Sequence, residues 1–323
     1  MNLRQYIDGI PVDMELKHVV IGVVMVLIGL APFVVGRVKL GILTQILIFA
    51  YFGIAFNLAF GFSGLPSFGH HAFFGLGAFG FAVFLREFPE TVWIAVVLTV
   101  FIAFVASFIV GWFSLRGVGI YFALITFAFA QVLYEVVTSW QFTGGTLGLP
   151  VALPGELLGM PTWGAVFYGS WLMLMLLVAF SYRLLNSPLG TTMQSLALNA
   201  ERAEAIGYDV RKIRLVVFTF SGGITSIAGI LYAAALRLAV PYTLSIELIL
   251  DLFLVVIVGG VSSLVGPFVG AVFVILLEEA LGGAGDWSFV ITGFILIVVM
   301  LFARGGIVEL FKNAYQRTRG DRD

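Results

Sequence analysis

Long apolar segments recur along the whole chain and are separated by short polar connections. A helix needs about 20 apolar residues to cross the hydrocarbon core of a bilayer, so each segment is a candidate membrane span. The ten candidates are 18–36, 41–60, 70–85, 92–114, 119–138, 164–182, 214–236, 244–258, 265–281 and 287–303. The third, eighth and ninth are short, which leaves open a re-entrant or broken segment. The pattern predicts an all-α, polytopic membrane protein with about ten transmembrane helices.

The composition of the chain supports this prediction. Of its 323 residues, 61% are hydrophobic and 11% are charged, whereas about 25% are charged in a typical soluble domain. The net charge of −1 gives no indication of nucleic-acid binding. Without cysteine there is no thiolate chemistry, and three histidines are too few and too poorly spaced for a metal site. We expect one transmembrane domain over 1–323, with a polar loop at 183–213 and a basic tail at 304–323.

The distribution of basic residues predicts the orientation, because cytoplasmic loops of membrane proteins are enriched in lysine and arginine. With both termini in the cytoplasm, 13 of the 17 basic residues lie inside. The four placed outside are Arg37, Lys39, Arg86 and Arg237. The pair Arg37 and Lys39 goes against the rule, so either it is a tolerated exception or the first two spans are misplaced.

The loop after the sixth span, Ser187–Arg214, contains a different pattern. Small or apolar residues recur at spacings of three and four, as on one face of a helix. They are Met193, Leu196, Ala197, Ala200, Ala203 and Ile206. The positions between them include Gln194, Asn199, Glu201, Arg202 and Glu204. We predict an amphipathic helix over 192–206 that ends at Gly207. The narrow apolar stripe of this helix is suited to contact with another protein. It is equally consistent with a helix that packs on its own bundle.

Polar side chains within the predicted spans are candidates for lining a path, because an ionisable group costs about 2.5–3.5 kcal/mol at the centre of a membrane helix. The candidates are Asn57, Ser63, His70, Thr126, Gln131 and Asp251. For Asp251 the alternative is a structural carboxylate held by a neighbouring helix. Ser63 and His70 belong to a Gly/Pro/Ser-rich break, which is tolerated only when buried in protein or lining a cavity. Here the alternative is a tight turn between helices, with the histidine bonded to a carbonyl.

Four stretches of the sequence, in order, resemble the LivM-type permeases of the branched-chain amino acid family of ATP-binding cassette (ABC) importers. They are GFSGLPSFGHHAFFGLGAF (Gly61–Phe79), LRGVGIYFALITFAFAQVL (Leu115–Leu133) with TGGTLGL (Thr143–Leu149), NAERAEAIGYDVRKIRLVVFTFSGGITSIAGILYA (Asn199–Ala233) and VIVGGVSSLVGPFVGAV (Val256–Val272). Each alone is a weak glycine pattern, but four in register make a specific signal. The chain departs from the family at Gln131, where glutamate is frequent, and at His71, which replaces a small residue.

The resemblance implies a ten-span bundle like that of the vitamin B12-type (type II) importers, in the bacterial inner membrane. It implies a LivH-like permease partner, two cytoplasmic ATPase subunits that bind ATP and Mg²⁺, and a periplasmic solute-binding protein. The sequence contains no GxxxxGK[ST] motif, so ATP would be hydrolysed on separate chains. Under this resemblance the helix at 192–206 docks on an ATPase. The coupling residues would be Met193, Leu196, Ala200, Glu201, Arg202, Glu204 and Gly207.

The function indicated is therefore a permease subunit without catalytic activity and without a cofactor of its own. Its solute would be a branched-chain or other amino acid, with urea and aromatic acids as alternatives within the family. The rival function is a secondary transporter driven by an ion gradient. That mechanism needs buried charges along a path, and Asp251 is nearly the only deep one. A membrane-embedded enzyme is disfavoured, because the sequence has neither an HExxH motif nor a nucleophile–base pair.

Overall fold

The structure, a computed structural model, describes residues 28–89, 91–282, 291, 293, 294, 297 and 306. Over these residues the regular secondary structure is helical apart from four two-residue strands, and turns and loops join the elements. The α-helices are α1 (Ala31–Val34), α2 (Arg37–Phe60), α3 (His70–Glu87), α4 (Val92–Ser114), α5 (Ile120–Ser139), α6 (Thr162–Leu185), α7 (Pro188–Leu198), α8 (Ala200–Ala205), α9 (Val210–Leu236), α10 (Ile246–Gly259) and α11 (Gly266–Leu281). Short 3₁₀ helices are at Gln141–Thr143, Gly145–Leu147 and Pro241–Leu244. The strands are β1 (Leu149–Pro150), β2 (Glu156–Leu157), β3 (Met160–Pro161) and β4 (Leu238–Ala239).

The hydropathy pattern located most of the helices. Helices α2 to α6 and α9 to α11 coincide with eight of the predicted spans and differ from them by at most four residues at either end. The other two, 18–36 and 287–303, lie largely outside the described residues. Among the described helices, five are long and apolar enough to cross a membrane, namely α2, α4, α5, α6 and α9. The described part of the chain is thus a polytopic membrane protein with five candidate spans.

Helices α3, α10 and α11 are short, as their apolar segments indicated. Helix α10 has 14 residues and α11 has 16. At 1.5 Å per residue, 14 residues extend about 21 Å, less than the roughly 30 Å thickness of the hydrocarbon core. Both helices are therefore shorter than the full thickness of the hydrocarbon core, as the short eighth and ninth apolar segments indicated.

Contacts between helix ends show that the helices alternate in direction. Arg37 at the start of α2 lies over the ring of Trp163 at the start of α6, 5.5 Å from its centroid. Arg86 near the end of α3 lies 4.3 Å from the ring of Phe142, just after α5. Strand β1, after α5, pairs antiparallel with β4, after α9. These ends lie on one side of the bundle, here called the strand side.

The other helix ends meet on the opposite side, here called the loop side because it carries α7 and α8. Arg211 at the start of α9 lies 5.3 Å from the ring of Trp112 at the end of α4. Asn57 at the end of α2 bonds to Ser263 between α10 and α11. Arginine on an aromatic ring at a helix end suits a membrane–water interface. This arrangement gives Arg37, the exception to the charge rule, a favourable local environment on the strand side.

Helix α2 forms the centre of the bundle, and α4 lies at its edge. In the most apolar window of α2, 83% of the residues are buried, against 28% for α4. Helices α6, α9, α10 and α11 all pack against α2. The exposed surface of α4 is almost entirely apolar and includes Trp93, Phe101 and Phe108. An apolar exposed helix at the edge of the bundle is what a lipid-facing position requires.

The crossing between α3 and α9 depends on glycine. A Cβ on Gly77 would overlap the backbone of Ser226, and a Cβ on Gly229 would overlap the carbonyl of Phe74. Small residues allow membrane helices to approach at backbone distance. Gly270 has the same role between α10 and α11, because its Cβ would overlap the carbonyl of Val255.

We expect Gly229→Ala to destabilise the bundle, because the added methyl pushes α3 and α9 apart. Overpacking of this kind costs about 1–3 kcal/mol. The matched control is Gly41→Ala on α2, where nothing lies within 4 Å of the added Cβ. Thermal unfolding of the purified chain in detergent should show a lower Tm for the first variant only. Equal Tm values for the two variants would contradict the close crossing.

Candidate functional site

The segment Gly61–Gly69, here called the bend, joins α2 to α3 and is mostly buried. The backbone N–H of Phe68 donates to Oγ1 of Thr126 on α5 at 3.2 Å. Within the bend, the N–H of Gly69 donates to Oγ of Ser67 at 3.2 Å. A Cβ on Gly69 would overlap the carbonyl of Thr126. The bend is therefore packed directly on the backbone of α5, and Thr126, which is fully buried, serves as its acceptor.

The side chain of Asn57 joins the end of α2 to the connection between α10 and α11. Its Nδ2 donates to the carbonyl of Ser263 at 2.9 Å, and its Oδ1 accepts from the N–H of Ser262 at 3.3 Å. The hydroxyl of Ser262 donates in turn to the carbonyl of Gly61 at 2.7 Å. These three hydrogen bonds, here called the Asn57 bridge, satisfy backbone groups that two interrupted segments leave without helical partners.

His70, the first residue of α3, is part of a buried polar chain. Ser221 on α9 donates its hydroxyl proton to the carbonyl of Ala55 at 2.7 Å. Because a hydroxyl has one proton, the contact of 2.8 Å between Ser221 Oγ and His70 Nε2 must have the ring nitrogen as donor. The neutral ring therefore carries its proton on Nε2. The ring also meets Phe56, Phe73 and Phe218 edge-on.

Four of the six residues predicted to line a path are enclosed within the chain. Asn57, Ser63, His70 and Thr126 are each at most 1% exposed. In this conformation none of the four presents a surface to a solute, and Asn57, His70 and Thr126 bond other elements of the bundle. This matches the alternative of a tight turn between helices, with a serine hydroxyl in place of the carbonyl expected to bond His70.

The remaining two predicted path residues, one on α5 and one on α10, are partly exposed. Gln131 on α5 is half-buried. Asp251 on α10 is also half-buried and accepts a hydrogen bond of 2.5 Å from the hydroxyl of Tyr242. Phe68 is 38% exposed and its ring lies 4.8 Å from that of Phe253 on α10. We refer to Gln131, to Asp251 with its partner Tyr242, and to Phe68 with Phe253 together as the polar face.

Sequence reasoning missed three residues of the polar face, Phe68, Tyr242 and Phe253. Aromatic residues are frequent throughout the chain, so nothing in the sequence distinguishes these three. The one available signal was the position of Phe68 inside the Gly/Pro/Ser-rich break. Tyr242 lies in a 3₁₀ helix nine residues before its partner Asp251. Helix periodicity does not predict a contact at this spacing.

The helix predicted over 192–206 is two helices, and this corrects the prediction. Helix α7 begins earlier, where Ser187 accepts from the N–H of Gly190 at 3.3 Å and Pro188 occupies the first turn. It ends before Asn199, whose backbone is extended. The side chain of Asn199 accepts from the N–H of Arg202 at 2.9 Å and so starts α8. An asparagine that caps a new helix competes with continuation of the old one.

The predicted coupling residues divide between the two helices. Met193 and Leu196 on α7 are at most 1% exposed, so they pack on the bundle and are not available to a docking protein in this conformation. Glu201, Arg202 and Glu204 on α8 are exposed, and Ala200 is half-buried. Gly207 is exposed with φ +96°, a left-handed conformation that favours glycine at a helix end. The exposed apolar residues beside them are Leu198 and Ile206, at 75% and 71%.

The loop is joined to α9 by a second cap. Asp209 accepts from the N–H of Lys212 at 3.0 Å and forms an ion pair of 2.8 Å with its Nζ. The hydrogen bonds from Lys212 lower the pKa of the Asp209 carboxyl, although both side chains are open to water. The loop surface thus carries charges of both signs around two exposed apolar residues.

Comparison with known proteins connects these features to a family. A model of the family described as "Branched-chain amino acid transport system / permease component" matches residues 38–303. The LivM permease protein of the high-affinity branched-chain amino acid transport system of Escherichia coli is 25% identical over 94% of this chain and 77% of that protein. Its counterpart in Salmonella typhimurium is 24% identical over 86% and 72%.

A more distant relative covers less of the chain. The autoinducer 2 import permease LsrC of Photorhabdus laumondii is 26% identical over 46% of this chain and 48% of that protein. No solved structure matches the chain.

We expect Asn57→Ala to destabilise the protein, because it removes the partner of the N–H of Ser262 and of the carbonyl of Ser263, both at part-buried positions. Unsatisfied buried groups cost about 1–3 kcal/mol each. The matched control is Asn186→Ala, whose amide donates to the carbonyl of Tyr182 at an exposed position and which should change stability by less than about 0.5 kcal/mol. Thermal unfolding in detergent measures the stability of both variants. Similar losses of stability would show that the Asn57 bridge contributes no more than an exposed hydrogen bond does.

Proposed function

Because the chain belongs to the family of permease components of branched-chain amino acid transport systems, we propose that it forms half of an inward path for a branched-chain amino acid. The other half comes from a second, LivH-like permease. The observation that carries this proposal is the match to LivM proteins over nearly the whole chain. As the permease component of an ABC system, the chain itself performs no hydrolysis of ATP.

The complete assembly is proposed to contain two ATPase subunits that bind ATP and Mg²⁺, and a periplasmic binding protein that delivers the solute. The chain lies in the bacterial inner membrane with its loop side facing the cytoplasm. The excess of basic residues on that side supports this orientation. The ten-span, type II arrangement is part of the same proposal, with the described helices as its central portion and both termini cytoplasmic.

The polar face is the surface proposed to line the path. Gln131 and Asp251 are its polar groups at membrane level, and polar side chains at that depth face a water-filled cavity or another protein rather than lipid. The exposed side of α4, by contrast, is apolar throughout. The second permease is therefore proposed to close the path by packing opposite α5 and α10.

Helix α8 and its flanking residues are proposed as the surface that docks on an ATPase. Leu198 and Ile206 provide apolar contact area, and Glu201, Arg202 and Glu204 surround them with charge. A partly apolar centre with a charged rim is the usual composition of a protein interface. Helix α7 anchors this surface to the bundle through Met193 and Leu196.

Reconstituted transport tests the solute. The chain should be purified with the permease, ATPases and binding protein encoded beside it and placed in proteoliposomes. We expect ATP-dependent uptake of radiolabelled leucine that excess isoleucine and valine reduce and ribose does not. No ATP-dependent uptake of leucine, or uptake that ribose reduces as much as isoleucine does, would contradict the solute. Uptake that needs no ATPase and follows an ion gradient would instead establish a secondary transporter.

Substitution of the exposed apolar pair tests the docking surface. We expect Leu198→Asp with Ile206→Asp to lower uptake at least tenfold, because two carboxylates must be desolvated in an apolar contact, at a cost of about 1.4 kcal/mol per tenfold change. The second permease should still copurify, while the ATPases should not. The matched control, Leu147→Asp, changes an exposed leucine on the strand side. If the double variant binds the ATPases as well as the Leu147→Asp control does, α8 is not the docking surface.

A further inference from the structure

The outward side of α9 forms the floor of a groove, here called the outer groove, whose walls are α4 and α6. Both of these helices pack against α9. The ring of Phe220 on α9 lies 5.6 Å from that of Phe104 on α4 and 6.1 Å from that of Phe180 on α6. Phe220 is still 46% exposed, as is Val216, one turn closer to the loop side. Because the exposed side of α4 faces lipid, lipid chains also reach the apolar floor of the groove beside it.

Basic side chains from α6 and α9 lie at the loop-side end of the outer groove. Arg183, in the last turn of α6, follows Phe180 by three residues and so lies on the same side of that helix. Arg211 and Lys212 are in the first turn of α9. Arg211 lies 5.3 Å from the ring of Trp112, which is 46% exposed near the end of α4. Since tryptophan is enriched at membrane–water interfaces, Trp112 marks the level of the lipid headgroups.

The described residues neutralise the positive charge of this group only in part. Lys212 forms its ion pair with Asp209, whereas the guanidinium of Arg211 donates to the carbonyl of Trp112 at 3.5 Å. Arg183 is exposed and takes part in no ion pair among the residues that the structure describes. Arg183 and Arg211 are therefore available to an anion from outside the chain, at the end of a groove that accepts an acyl chain.

We propose that the outer groove binds one anionic phospholipid of the loop-side leaflet. Arg183 and Arg211 hold its phosphate, and an acyl chain lies along Val216 and Phe220. Basic pockets between transmembrane helices are typical sites for anionic headgroups, and a guanidinium matches two phosphate oxygens with parallel hydrogen bonds. The lipid joins α6 to α9, the two helices that flank the loop carrying α7 and α8. The inference goes beyond the proposed transport, because it requires only that the bundle lies in a membrane.

Comparison of two lipids with the same chains tests the selectivity for charge. The purified full chain in detergent is titrated with dioleoylphosphatidylglycerol or with dioleoylphosphatidylcholine, and native mass spectrometry measures the affinity for the first bound lipid. We expect phosphatidylglycerol to bind about tenfold more tightly, because only its headgroup is anionic and each basic residue near the surface favours it. Equal affinities for the two lipids would overturn the proposal.

Substitution of one arginine tests the position of the site. We expect Arg183→Gln to weaken the binding of phosphatidylglycerol about fivefold and to leave the Tm in lipid-free detergent unchanged. The matched control is Arg116→Gln, which changes another exposed arginine on the loop side. Arg116 lies over the ring of Phe113, beside Phe129 of α5 and away from the outer groove. Equal losses of affinity in the two variants would show a diffuse attraction to the basic side and would overturn the site.

Obstruction of the groove distinguishes a phospholipid from a free phosphate. Val216→Trp keeps every charge but occupies the space of the acyl chain, so we expect phosphatidylglycerol to bind several-fold more weakly. The control Val132→Trp changes an exposed valine on α5 and should bind it as the wild type does. Millimolar sn-glycerol 3-phosphate, which has the phosphate without chains, should not displace the lipid. Displacement, or unchanged binding by Val216→Trp, would overturn a phospholipid as the occupant. Should Val216→Trp fail to fold, the two arginine variants decide the proposal.

Discussion

The whole arrangement depends on how the bundle satisfies the backbone where its helices are interrupted. An N–H or C=O group buried away from water needs a partner, and interrupted helices leave several without one. The chain provides those partners from other elements: Asn57 for the α10–α11 connection, Ser262 for the end of α2, and Thr126 for the bend. This requirement draws α2, α5, α10 and α11 together at one side of the molecule and fixes Phe68 between two of them.

The sequence could predict the helices because lipid imposes a length and an apolar composition on each of them. It could also predict that the polar residues in the spans matter, but not what they bond. Asn57, His70 and Thr126 were candidates for the path, and each bonds a distant part of the same chain. Hydropathy records how polar a position is and contains no information about which helix lies opposite. The interior partners could therefore emerge only from the packed structure.

The loop between α6 and α9 illustrates a different limit of prediction from sequence. Periodicity left two alternatives, a docking helix and a helix lying on its own bundle, and the structure assigns the second to α7. Met193 and Leu196 are buried, whereas the residues of α8 face outward. The division occurs at Asn199, which caps α8 and ends the regular pattern. Since asparagine occurs both within helices and at their caps, the spacing of the apolar residues alone could not reveal this break.

The division of the loop into a buried helix and an exposed one has a structural consequence. A loop with only exposed residues would not be attached to the bundle, and a loop that was wholly buried would be inaccessible to another protein. Here α8 is exposed, α7 is anchored in the core, and Ala197 lies against Gly64 of the bend. The α7–α8 junction, with its cap at Asn199, and the bend are therefore joined by a direct backbone contact. The absence of a side chain at Gly64 allows these two interrupted parts of the chain to meet.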